Sequence, residues 1–199
     1  MTNKITGGFP MTAQISNLFK INEKEYDLIG SSRDIDFDPR EYGLTPVAPH
    51  TACWRGYYYV ANIKDNKLVV ENLHVNNADD DYPEINGVKA VDEKEESSFY
   101  AYYNVDLPIN YSGKLLLGYG FLRRYYQHMG YQNPHAYQEL LMLTFNNGEL
   151  VLTKDLSDKA AEYRKSIEKD PAGHKKDVSS DLEEYIEKSF SMEIDDYYY

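Results

Sequence analysis

The chain has 199 residues and a net charge of -12, with 42% hydrophobic and 14% aromatic content. That length suits one ordinary domain with an appendage, and that charge repels nucleic-acid phosphates and anionic membranes while attracting cations and basic proteins. Arg123-Arg124 and Lys175-Lys176 are isolated pairs, not a basic patch, so direct nucleic-acid binding is set aside.

The first expected element is a β-hairpin over residues 18 to 30, LFKINEKEYDLIG, in which two β-prone runs flank a polar turn. Residues 31 to 50 follow as a loop that holds three of the eight prolines and has no clear period. The stretch TACWRGYYYV carries the only cysteine, Cys53, and the only tryptophan, Trp54. Trp54 is expected to anchor the junction between that loop and the sheet.

A second hairpin is read over residues 57 to 75. With Asp65-Asn66 as its turn, Ile63 faces Leu68 and Ala61 faces Val70, which places all four on one face. Residues 76 to 97 are acidic and poor in apolar side chains, a long exposed connection. Strands are expected around SFYAYYNV and KLLLGY. GFLRRYYQHMG reads as a helix with Phe121, Leu122, Tyr125 and Met129 on one face and Gly130 as its stop. Asn133-Pro134 then opens a short turn through Tyr137.

The third hairpin, residues 140 to 153, turns at Asn147-Gly148, where both positions tolerate positive φ. Its simple register pairs Phe145 with Leu150 and Leu143 with Leu152. The second and third hairpins resemble each other around their turns, as hairpins with similar turns do. Ser157 caps a helix to about Lys169, which Pro171 and Gly173 end. Ser180 with Glu183 makes a capping box for a second helix to about Phe190. Tyr197 to Tyr199 are expected to fray.

These elements predict an α+β fold: a twisted, mainly antiparallel sheet of about seven or eight strands built from hairpins, with a few helices packed on it and a C-terminal helical pair. The sheet domain is placed at residues 13 to 155. Residues 156 to 199 form a helical extension with an acidic tail, docked on the same domain. One cysteine precludes an intramolecular disulfide, and MTNKITGGFP lacks the apolar stretch of a secretory signal; both favour a cytoplasmic location.

No motif names a reaction. Cys53 with His50 and Arg55 is the one nucleophile candidate, because a thiolate needs a base or a positive charge nearby. Against it, free cysteine is among the most buried residue types. Asp34, Asp36 and Asp38 alternate as in a calcium loop, but Pro39 and Thr45 stand where glycine and a bidentate acid belong. The histidines at 50, 74, 128, 135 and 174 have no zinc spacing. No phosphate-binding glycine loop is present, and neither metal nor cofactor is expected. Arg55 is expected to pair with a carboxylate within the sheet. Tyr57, Tyr58 and Tyr59, with Tyr100, Tyr102 and Tyr103, are expected to pack across neighbouring strands.

The acidic surface is the strongest functional signal. Asp79, Asp80, Asp81 and Glu84 open the long loop, and Asp92, Glu93, Glu95 and Glu96 close it. Asp195 and Asp196 end the tail. Together with the tyrosines these residues are expected to bind a basic protein, most concretely as an immunity or inhibitor protein neutralising a basic toxin, such as a nuclease. The alternatives are a hydrolase using Cys53 or a carboxylate pair in a tyrosine-lined cleft, an acidic mimic of nucleic acid, and a sugar- or calcium-binding module.

Overall fold

A computed structural model describes residues 15–127 and 132–169. The predicted helix over 180–190 and the tail acids Asp195 and Asp196 lie outside the described residues.

Ten strands are present: β1 (Leu18–Ile21), β2 (Lys24–Ser31), β3 (Tyr57–Lys64), β4 (Lys67–Val75), β5 (Val91–Asp92), β6 (Tyr100–Tyr102), β7 (Leu107–Pro108), β8 (Gly113–Phe121), β9 (Tyr137–Asn146) and β10 (Glu149–Asp155). Two α-helices accompany these strands among the described residues, the single turn α1 (Lys94–Ser97) and α2 (Ser157–Lys169). The three predicted hairpins are β1–β2, β3–β4 and β9–β10. Asn22, Glu23, Asp65, Asn66, Asn147 and Gly148 all have positive φ, the geometry that two-residue hairpin turns demand.

The sheet does not stay open. Strands run β10-β9-β8-β2-β1-β3-β4, and β4 returns to β10, so seven strands close a barrel. One pair, β1 with β3, is parallel; the other pairs are antiparallel. Closure occurs where two hairpin tips meet. Leu68 N–H donates to the Gly148 carbonyl at 2.9 Å, and Leu150 N–H to that of Asn66 at 2.9 Å. The two segments whose sequences resemble each other are therefore hydrogen-bonded at their turns. Beyond that seam, β7 and then β6 pair with the same edge of β4, and β5 pairs with β6.

A barrel of this size is filled by its inward side chains. Phe19, Tyr59, Ala61, Leu68, Leu115 and Leu143 are among those inside. Loop residues complete this core: Phe37 and Leu44 come from the 31–50 segment, and Ile85 from the acidic connection. Full burial of each such side chain contributes about 1.5–3 kcal/mol. A second core lies on the opposite face of β8 and β9, where Leu116, Leu140 and Met142 pack with Leu156 and Ala160 at the start of α2. The apolar run LLL in β8 thus serves two cores, with Leu115 and Leu117 inside the barrel and Leu116 outside.

Two expectations fail for the same physical reason, that tertiary pairing outweighs local pattern. Phe121 and Tyr125 are not on an α-helix. Phe121 ends β8 opposite Tyr137, and the backbone then makes only a 3-10 turn at Arg123–Tyr125. Leu143 pairs with Thr153, not Leu152, because Val151 is an extra residue in β10. That bulge leaves both Val151 and Leu152 exposed. Asn133 and Pro134 do open a short turn, but it ends at Ala136 and Tyr137 begins β9.

Candidate functional site

Among the described residues, the predicted partner-binding acids, Asp79 to Glu96, lie at one end of the barrel, where β3 begins and β4 ends. β4 carries a bulge at Glu71, the extra residue between the Ala61–Val70 and Val60–Asn72 pairs. The bulge leaves the alternation intact above it. Tyr57 and Tyr59 turn inward and Tyr58 outward, directly opposite His74. The two outward rings stack at 4.4 Å, nearly parallel. Tyr103 meets the same imidazole edge-on at 5.9 Å, and Phe99 meets Tyr58 edge-on at 5.1 Å.

The acidic connection reaches this aromatic group through Glu93. Its two ends, 13 residues apart from Asp79 to Asp92 by residue number, are tied together by Lys94, which pairs with Asp80 and lies over the Tyr100 ring. Tyr82 stacks on Tyr100 at 3.8 Å. Tyr100 donates to Asp92 at 3.0 Å, and Tyr103 donates to Glu93. Asp79, Asp80, Asp81, Asp92, Glu95 and Glu96 are exposed, Glu93 is partly covered, and Glu84 is exposed beside Pro83, whose carbonyl accepts from Tyr102. The Lys94 amide and the Tyr100 hydroxyl hold the Asp92 carboxyl below its usual range, so it is ionised at neutral pH. In return, the Glu93 hydrogen bond and partial burial push the Tyr103 hydroxyl up to about 12.

Among these groups His74 is the one whose charge is set by its surroundings near neutral pH. Burial lowers its pKa, and Glu93 opposes that shift. Its Nδ1 is buried without a hydrogen bond, 3.7 Å from the Glu93 carboxylate. The spacing of histidines in the sequence does not reveal this cluster. Tyr58 and His74 become neighbours only through β3–β4 pairing, and Glu93 arrives across the loop.

The alternative nucleophile has the opposite environment. Cys53 is 2% exposed, its sulfur donates to the Tyr57 carbonyl at 3.4 Å, and burial pushes the thiol pKa up despite Arg55. His50 accepts the Cys53 amide through its own backbone carbonyl, and its ring packs edge-on against Phe99. Arg55 is exposed and donates to the Ile15 carbonyl and the Asn17 side chain, with its guanidinium over Tyr57. These contacts replace the expected carboxylate pair. The buried carboxylate is instead Glu71 at the bulge. Burial would raise its pKa, but hydrogen bonds from Lys64 and Asn62 bring it below the usual value.

Trp54 also departs from expectation. It does not anchor the junction by burial; 59% of its surface is exposed. Cys53 takes the inward position in this tight turn and Trp54 is turned out. Asp38, from the alternating aspartates, accepts from the Arg40 amide at a 3-10 turn. No group of three or more potential metal ligands occurs among the described residues. No helix among them is long and apolar enough to cross a membrane. No protein-family profile, curated protein or solved structure matches the chain.

Proposed function

We propose that the chain is a stoichiometric binding protein whose acid- and tyrosine-rich barrel end engages a basic protein. In its concrete form it is an immunity-type inhibitor that covers the cleft of a basic toxin, such as a nuclease. The observation that carries this reading is the tie at Lys94. By pairing with Asp80 and covering Tyr100, it joins Asp79–Asp81 to Asp92–Glu96 as one surface fixed by stacked tyrosines. Carboxylates already ordered on a folded surface bind a cationic partner with little further ordering cost. The thiol version of the hydrolase alternative depends on a cysteine whose burial raises its pKa and so lowers the fraction of reactive thiolate.

The test is affinity capture on the immobilised chain, compared with an Asp79→Asn/Asp80→Asn/Asp81→Asn variant. A basic protein should be retained at about 50 mM salt, released by about 300 mM, and held poorly by the variant. Retention indifferent to both salt and charge removal would overturn the proposal.

A further inference from the structure

Trp54 lies at the same barrel end, on a backbone held from several directions. The Cys53 amide donates to the His50 carbonyl at 3.1 Å, the Gly56 amide to that of Cys53 at 3.2 Å, and the Asn76 amide to that of Gly56 at 2.9 Å. A Cβ at Gly56 would fall 2.5 Å from the Val47 nitrogen, so this turn and the 45–47 strip are in close contact. That strip in turn bonds the chain leading to Asp79. Val47 N–H donates to the Asn76 carbonyl and Ala78 N–H to that of Thr45. The turn thus leaves the indole exposed, as Val47 is at 40%, while its backbone is linked through Asn76 to the chain leading to Asp79 and its His50 ring packs on Phe99, whose carbonyl accepts from the Glu93 amide.

A large exposed aromatic group on a hydrogen-bonded turn, in a chain segment linked to the acidic connection, has the properties of a binding anchor. It adds contact area with few rotors to freeze. Among cationic side chains, arginine suits it best. Its weakly hydrated planar guanidinium stacks on indole while neighbouring cations pair with carboxylates. We infer that Trp54 is the anchor of the acidic surface and that the partner segment it takes is arginine-bearing. This inference rests on the basic-partner reading above.

The chain has a single tryptophan, so its fluorescence reports this contact alone. The probes are tryptophan-free octa-arginine and octa-lysine peptides at low salt, with binding measured by calorimetry and exposure by acrylamide quenching. Octa-arginine should reduce quenching about twofold and octa-lysine clearly less, and Trp54→Ala should weaken octa-arginine binding about tenfold. Trp54→Phe, the more conservative change, should lie between them at an unchanged unfolding midpoint. If octa-arginine binds with quenching unaltered and Trp54→Ala binds equally well, the anchor is refuted while the acidic-surface reading stands. Equal protection by octa-lysine would refute the preference for arginine. If neither peptide binds, the basic-partner reading fails and this inference fails with it.

Discussion

Gly56 has a φ of +75°, and a Cβ there would meet the Val47 backbone at 2.5 to 2.7 Å. An alanine faces both the left-handed strain and a clash with backbone atoms that cannot swing aside. Gly56→Ala should cost about 3 kcal/mol in urea unfolding. A loss under about 0.5 kcal/mol would mean that the turn and the 45–47 strip part easily, in the range of ordinary surface substitutions. Cys53, beneath the same turn, should react with a thiol reagent only as this end of the barrel opens. Its labelling rate should rise with sub-denaturing urea, whereas rapid labelling of the native protein would contradict its burial. His74 gives a pH signature. Its folded pKa is depressed, so the unfolded chain binds the proton first as pH falls. The stability it contributes is complete above about pH 6.5 and is lost as pH drops from there toward the lower folded value. The urea midpoint should fall over that window, and His74→Phe, which preserves an aromatic face against Tyr58, should flatten the fall. An identical pH profile in the variant would remove His74 as the cause.

The β3–β4 hairpin and the β9–β10 hairpin are each specified locally, yet the barrel depends on their tips meeting. Gly148 is at that point: φ is +79°, and a Cβ would lie 2.6 Å from the Ile109 carbonyl oxygen. Gly148→Ala should destabilise by about 2 kcal/mol and accelerate hydrogen exchange at the Leu68 and Leu150 amides, which close the seam. Unchanged exchange at both would show the seam to be independent of the tip geometry. The β4 bulge makes a separate contribution. Glu71 is 6% exposed and accepts from Asn62 and Lys64 on the outer face. Glu71→Ala removes those charge-assisted bonds, while Lys64 and Lys20, the latter 3.9 Å from the carboxylate, are partly exposed and can turn to solvent. A loss of about 2 kcal/mol is therefore expected, less than for a wholly buried pair.

Across the whole molecule, the charge of -12 bears on association more than on folding. Much of it lies in the acidic connection, whose ends Lys94 holds together. Lys94→Ala should leave the barrel intact, since its partners Asp80 and Tyr100 are on the surface. It should nonetheless lower affinity for a basic partner by loosening the arrangement of Asp79–Asp81 against Asp92–Glu96. Its effect should be read as partner affinity alongside an unchanged urea midpoint. An affinity no weaker than that of the native chain would mean that the tie does not organise the surface.

The sequence by itself determined what depends on neighbours in the chain. Turn residues with positive φ and alternation on either side set the three hairpins and the inward set Ile63, Leu68, Ala61 and Val70. Ser157 to Lys169 was legible as a helix for similar reasons. The acids of the candidate surface were legible too, because exposed charge is written directly in composition. Only the tertiary structure decided the rest. Closure joins residues 68 and 148, and neither hairpin carries a signal for the other. Pairing with Tyr137 drew Phe121 into a strand despite its helical spacing. Bulges at Glu71 and Val151 shifted registers that simple alternation carries straight through. The outward turn of Trp54 was hidden because composition gives a tryptophan's appetite for burial, whereas its position in a tight turn over Cys53 is set by the bond from the distant Asn76 amide to the Gly56 carbonyl and by close approach to Val47. Local conformational preference acts over a few residues. Barrel closure and the choice of which side chain faces solvent are set by contacts whose partners lie far apart in the chain.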